Sequence, residues 1–160
     1  MATLARTLRL LALMVWIGGI LFFGAVLAPT AFRVLPTSQE AGLVVGASLH
    51  SLHAIGLWCG VAIIVALRLL GKRAYKLPIQ LGLVVAMIAL TFASNRLILM
   101  PMEHDRDAAG GNITALLPGS PLREDFDARH AWSTRVEGGV LLAGLALTLL
   151  IAREPETEEA

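Results

Sequence analysis

The chain has 160 residues, 56 % of them hydrophobic and 16 % charged, and a formal net charge of +1. That length suits one domain, but a mean hydropathy of +0.72 is too apolar for a water-soluble fold of this size, so the solvent is lipid. The near-neutral charge excludes a basic nucleic-acid surface, and the lone cysteine, Cys59, excludes a disulfide framework or a thiolate metal cluster.

The first apolar run, 8–27, follows Arg6 and Arg9 much as a signal-peptide core follows its basic flank. It is close to the ~20 residues that span a bilayer and no small-x-small cleavage site follows, so it is read as a retained helix. Pro36 then stops that helix, and Thr37-x-x-Glu40 forms a capping box that starts the second helix near Ser38, ahead of its apolar part at 46–70. The short basic connection Gly71-Lys72-Arg73-Ala74-Tyr75-Lys76 makes the second and third helices an antiparallel hairpin, with Pro78 in the first turn of the span 78–100. Residues 101–129 are polar and contain Gly110-Gly111, Pro118 and Pro121, which predicts a solvated outer loop. The fourth span covers 131–152, and an acidic disordered tail, 154–160, ends the chain after a single transmembrane domain at 1–153.

With no water in the bilayer to pair exposed backbone, each span is a helix. The predicted fold class is therefore all-α, an integral membrane four-helix bundle. Arg6, Arg9, Arg68, Lys72, Arg73 and Lys76 gather at one end, which the positive-inside rule places in the cytoplasm together with both termini, in a bacterial inner membrane. Small-residue pairs such as Gly42-x-x-x-Gly46, Gly56-x-x-x-Gly60, Gly82-x-x-x-Ala86 and Gly139-x-x-x-Ala143 let helices approach closely, chiefly within the bundle.

Polar residues inside the spans define the candidate site, because each costs about 2.5–3.5 kcal/mol to insert near the bilayer centre. At ~1.5 Å per residue, His53, Asn95, Arg96, Arg135 and Glu137 fall at one depth, roughly 24–28 Å from the inner surface, with His50 and His130 a little further out. The inner two-thirds of every span reads as almost purely apolar. His50 and His53 share one face of the second helix, and His130, Ser133, Thr134 and Glu137 share one of the fourth. An Arg96–Glu137 pair and an Asn95–histidine bridge are expected, walled by Trp16, Gly18, Gly19, Phe22 and Phe23 of the first helix. Arg135 is expected to reach the headgroups and Trp132 to lie in the aromatic belt.

Trp16-Ile17-Gly18-Gly19 leading to Phe22-Phe23, Ala28-Pro29-x-x-Phe32, Ala41-Gly42-x-x-x-Gly46, Asn95-Arg96 before Pro101, and Phe126-x-x-x-His130-x-x-Ser133 together resemble a bacterial family of four-helix membrane proteins, domain of unknown function 4149. Its animal relatives include a transmembrane protein associated with cisplatin resistance. The resemblance implies topology rather than chemistry. The chain departs from the family pattern at Leu49-His50 and His53, where a Phe-Pro pair and an aromatic are usual, and at Glu137, where asparagine is expected.

The favoured functional reading is a non-enzymatic membrane protein whose polar site at the outer leaflet, built from Asn95, Arg96, His130, Ser133 and Glu137, binds a ligand or packs the helices. Two alternatives stay open. One is a redox or cofactor-handling protein that holds haem or a metal through His50, His53 and His130. The other is an accessory subunit of a larger membrane complex. The lipid bilayer is the partner in every case, with a homo-oligomer or a larger complex as further options, and nucleic acid is not expected.

Overall fold

The computed structural model of the protein describes residues 1–154, so the acidic tail anticipated at 154–160 lies outside the described residues apart from its first member. Four helices, each long and apolar enough to cross a membrane, make up the bundle: α1 (Ala2–Val34), α2 (Ser38–Arg73), α3 (Leu77–Ala108) and α4 (Pro121–Ala152). No strand occurs among the described residues. The outward surface is studded with exposed Leu, Val, Ile and Phe side chains, including Leu11, Leu69, Val85 and Leu149, as lipid-facing helices require. The start of α1, the end of α4 and the α2–α3 connection lie at one end, the termini end; the other two connections lie at the loop end.

Local chemistry sets the helix boundaries. Thr37 is in extended conformation and its hydroxyl accepts from the Glu40 N–H at 3.1 Å, which starts α2 at Ser38. Gly71, at φ 52, lets the chain leave the α-helical part of α2, and Pro78 sits in the first turn of α3. The stretch 101–129, expected to be a loop, is helical on both flanks: α3 continues through Met100–Ala108, and α4 starts at Pro121. Hydropathy marks where lipid ends, whereas a helix extends into water as far as its caps allow. What remains of the loop is short and carries a turn of 3₁₀ helix at Ile113–Ala115.

Trp16 organises the packing. It is 1 % exposed and lies in a notch on α2 where Gly56 and Gly60 carry no side chain. A Cβ at Gly56 would stand 2.4 Å from the indole Nε1, and one at Gly60 would stand 2.6 Å from Ile88 of α3 and 3.1 Å from the indole. Gly144 of α4 admits Ile17 and Met87 in the same way, at 2.9 and 3.2 Å from its notional Cβ. Small residues thus bring all four helices together in the termini half of the bundle. Trp16, expected to wall a polar pocket, is part of this core instead, because the indole fills the space the two glycines leave.

Two short π-helical segments interrupt this regularity, Phe23–Leu27 in α1 and Ser94–Leu99 in α3. Each runs up to a proline, Pro29 and Pro101. A helix-interior proline cannot donate to the carbonyl four residues back and its ring clashes there; widening the preceding turn relieves that conflict. Beyond the first π segment, residues 23–34 of α1 pack on α2 with no comparable packing on α4. The loop half of the bundle is therefore open between α1 and α4.

The termini end is closed by a polar cluster. The Arg9 guanidinium, 1 % exposed, donates to both Glu154 carboxylate oxygens at 2.7 and 2.5 Å and to Gln80 Oε1 at 3.0 Å. Gln80 Nε2 donates to the Tyr75 carbonyl at 2.6 Å and to Glu154 at 3.0 Å, and the Tyr75 N–H donates to Glu154 at 3.1 Å. Two sequence-based expectations are corrected here. The inner part of the spans is not purely apolar, since Arg9 and Gln80 are buried in it, and Glu154 is a partner of Arg9 rather than part of a solvated tail. A buried cation needs a carboxylate more than an exposed carboxylate needs water.

Two outcomes follow from this packing. Gly56→Ala places a methyl group against the Trp16 ring and is expected to destabilise the bundle by about 1–3 kcal/mol in detergent unfolding, with Trp16→Leu in the same chain restoring most of the loss. For Glu154, burial raises the pKa, but hydrogen bonds from Arg9 and Gln80, the Arg9 charge and the Tyr75 N–H outweigh it and hold the carboxyl below its ordinary value. A lowered pKa contributes stability above the unfolded value and loses it as pH falls through the folded one. Glu154→Gln should therefore cost about 3 kcal/mol at neutral pH, and its deficit against the parent should shrink as the pH drops below 4.5. A pH-independent deficit would mean that the charge is not what matters.

Candidate functional site

The opening in the loop half contains a cavity of about 760 Å³, bounded by α1, α2, the loop-end turns of α3 and α4, and the α3–α4 connection. Its wall is mostly apolar, with Phe23, Leu49, Leu99 and Leu141 among its side chains. The first π segment lines it through Phe23, Gly24 and Ala25, and the second through Leu99. Polar groups enter from α4, where His130, Ser133, Thr134 and Glu137 share a face at helical spacing, and from the connection at Asn112 and Thr114.

Beside the cavity lies a buried polar layer. His53 of α2, 1 % exposed, donates from Nε2 to Glu137 Oε1 of α4 at 2.6 Å. Its Nδ1 has no partner among the described residues, nor have the buried hydroxyls of Thr91 and Ser94 on α3. The antiparallel register set by Gly60 against Ile88 and Gly139 against Leu90 brings Thr91 and Ser94 to the depth of His53 and Glu137. One turn closer to the loop end on α2, His50 pairs with Glu103 of α3 at 2.7 Å in a partly exposed position, and Arg129 of α4 pairs with the buried Asp105 of α3.

The residues anticipated for the site divide into two groups. His130, Ser133 and Glu137 line the cavity, Ser133 buried and His130 exposed. Asn95 is half-buried and Arg96 exposed, and neither lines it. Arg96 does not reach Glu137: its guanidinium lies over the Phe92 ring at 5.8 Å and contacts Met100 Sδ at 3.7 Å, while His53 takes the Glu137 carboxylate. At equal depth, the helix face decides the partner, and the Arg96 side chain points outward. Arg135 likewise lies outside, over the exposed Trp132 at 5.1 Å. His50 and His53 each direct Nε2 at a carboxylate, and no group of three His, Cys, Asp or Glu side chains is arranged around a common metal position among the described residues.

Sequence reasoning missed Glu103, Asp105 and Arg106 because it placed them in a loop. Leu99, Met102, Glu103 and Arg106 follow helical spacing and all line the cavity. That periodicity was available in the sequence, past Pro101, to a reading that lets a helix continue through a proline.

The family match falls on the helices that build most of this cavity. The chain belongs to the family described as Domain of unknown function (DUF4149). Its model matches residues 11–112, from α1 through the end of α3. No curated protein and no solved structure matches. Within the DUF4149 segment lie both π segments, Gly42, Gly46, His50, His53, Glu103 and Arg106; His130, Ser133 and Glu137 of α4 lie beyond it.

The His53–Glu137 pair invites a direct test. Glu137→Leu leaves a buried imidazole with neither ring nitrogen paired and is expected to cost roughly 1–3 kcal/mol. His53→Leu added to Glu137→Leu removes the orphaned group and should recover most of that stability. Equal unfolding curves for the parent and the single variant would show that the pair contributes nothing.

Proposed function

We propose that this protein is a non-enzymatic integral membrane protein that holds a ligand in the loop-end cavity, with that end on the outer side of the inner membrane and both termini in the cytoplasm. The observation that carries the reading is the cavity itself. Its volume falls in the range of small-molecule sites, and a mostly apolar wall with a few convergent polar groups is the usual composition of such sites. Its position in the half of the bundle opened by two proline-linked π segments supports the same reading, since such segments recur where helices are bent for function.

The orientation rests on the exposed cations Arg68, Lys72, Arg73 and Lys76 in and beside a very short connection. Arginines are also present at the loop end, Arg33, Arg96, Arg106, Arg123, Arg129 and Arg135, but the cations of the α2–α3 connection crowd a very short stretch, where the rule weighs most.

Gly138 provides the test. It lines the cavity one turn from Thr134 and Leu141, and a Cβ there would meet nothing within 4 Å. Gly138→Phe is expected to fill the space without loss of thermal stability, and native mass spectrometry of the protein extracted from its host membrane should show an adduct on the parent that the variant lacks. Identical spectra would sink the ligand-binding reading. For orientation, Thr114→Cys in intact cells should react with a membrane-impermeant maleimide and Lys72→Cys should not; the reverse pattern would invert the topology.

A further inference from the structure

We infer that the cavity takes an anionic amphiphile, its apolar chain in the carbon-lined part and its phosphate or carboxylate head on Arg106. This rests on the reading of the cavity as a ligand site and adds the chemistry of the ligand.

The inference comes from an accounting of charge. Among the carboxylates near the cavity, Glu103 is taken by His50, Glu137 by His53 and Asp105 by Arg129. Arg106 forms no ion pair among the described residues, although it lines the cavity and is partly buried. Asp127 also lines the wall, but it is exposed and makes no ion pair with Arg106. A guanidinium carries five N–H donors and no acceptor. Here it lies over the Phe126 ring of α4, with its carbon 5.6 Å from the ring centre, a contact that suits its face and leaves the donors on its edge without a hydrogen-bond partner among the described residues.

The position of the guanidinium is built into α2. Notional Cβ atoms at Gly42 and Gly46 would stand 3.5 and 3.6 Å from its two terminal nitrogens, so it lies along a strip of α2 that has no side chains. The Gly42-x-x-x-Gly46 pair, which reads in sequence as a helix-packing motif, here faces the Arg106 guanidinium at ordinary contact distance. Gln39 and Asn112 also line the cavity and supply neutral amide donors beside a head group. Ile20, Phe23, Leu49 and Leu141 offer the apolar chain its surface, and the lack of packing between α4 and residues 23–34 of α1 leaves a side opening through which a lipid-borne molecule enters without crossing water.

The test uses the purified full-length protein, delipidated in a non-ionic detergent and titrated by native mass spectrometry with three single-chain probes: oleoyl lysophosphatidate, oleate and oleoyl lysophosphatidylcholine. The parent is expected to bind the two anionic probes at least roughly tenfold more tightly than the zwitterionic one, as a charge-assisted contact would give. Arg106→Gln should abolish that preference while keeping weak binding of all three, Arg106→Lys should retain part of it, and Gly138→Phe should remove binding of every probe. The ratio of lysophosphatidate to oleate binding separates a phosphate head from a carboxylate. Equal binding of anionic and zwitterionic probes by the parent, or an anionic preference that survives Arg106→Gln, overturns this inference and leaves the cavity as a ligand site. Binding that is indifferent to Gly138→Phe overturns the underlying reading as well. Should Arg106→Gln fail to fold, a preference in the parent that is unchanged from low to high salt overturns the inference by itself.

Discussion

The seat of Trp16 against Gly56 and Gly60 is the contact on which the arrangement of the bundle depends. In lipid there is no hydrophobic drive to press one helix on another, because the acyl chains are as apolar as leucine; close fit has to supply the association. A large flat ring set where two glycines leave room gives that fit, and it draws α1 and α2 together while Ile88 of α3 closes over Gly60. Gly144, receiving Ile17 and Met87, brings in α4. The contacts that join all four helices lie in the termini half, whereas past the bends ahead of Pro29 and Pro101 α1 packs on α2 and has no comparable packing on α4. The opening between α1 and α4 and the cavity within it result from that combination.

Charge inside the bundle follows a consistent rule of pairing across helices. Arg9 of α1 meets Glu154 after α4, His53 of α2 meets Glu137 of α4, His50 of α2 meets Glu103 of α3, and Arg129 of α4 meets Asp105 of α3. Each pair ties one helix to another or to its flank, and for the two buried pairs, Arg9–Glu154 and His53–Glu137, removing one partner strands the other in a low-dielectric setting, where an unpaired charge is costly. Arg106 departs from the rule, partly buried at the cavity with an aromatic face beneath it and no ion pair among the described residues.

Much of the architecture was legible in the sequence because the bilayer imposes a simple code: apolar runs of the required length, helix-stop prolines, a Thr37-x-x-Glu40 cap and a short basic hairpin. The four helices follow from those features, while the family resemblance rests on residue motifs such as Trp16-Ile17-Gly18-Gly19 and Asn95-Arg96. Partner choice was not legible. Depth along a helix can be counted from sequence, and it put His53, Arg96 and Glu137 in one layer; the rotation of each helix decides that His53 meets Glu137 while Arg96 faces outward, and rotation is set by packing that a single sequence does not reveal. Arg9 and Glu154 escaped for another reason. Both stand at span ends, where hydropathy treats a charge as a flank or a tail, and a buried pair between chain ends leaves no periodic trace.

The ion pair between Arg9 and Glu154 also has a consequence in time. A chain made from its N-terminus places Arg9 in the membrane region before any of α2, α3 or α4 exists, and the carboxylate that neutralises it is translated only after α4. Gln80, on α3, is translated between the two and gives Arg9 a neutral acceptor beside the carboxylate. A chain halted before residue 154 keeps all four spans yet leaves that charge uncompensated in lipid. Placing the acid after α4 thus makes full neutralisation of Arg9 conditional on completion of that helix.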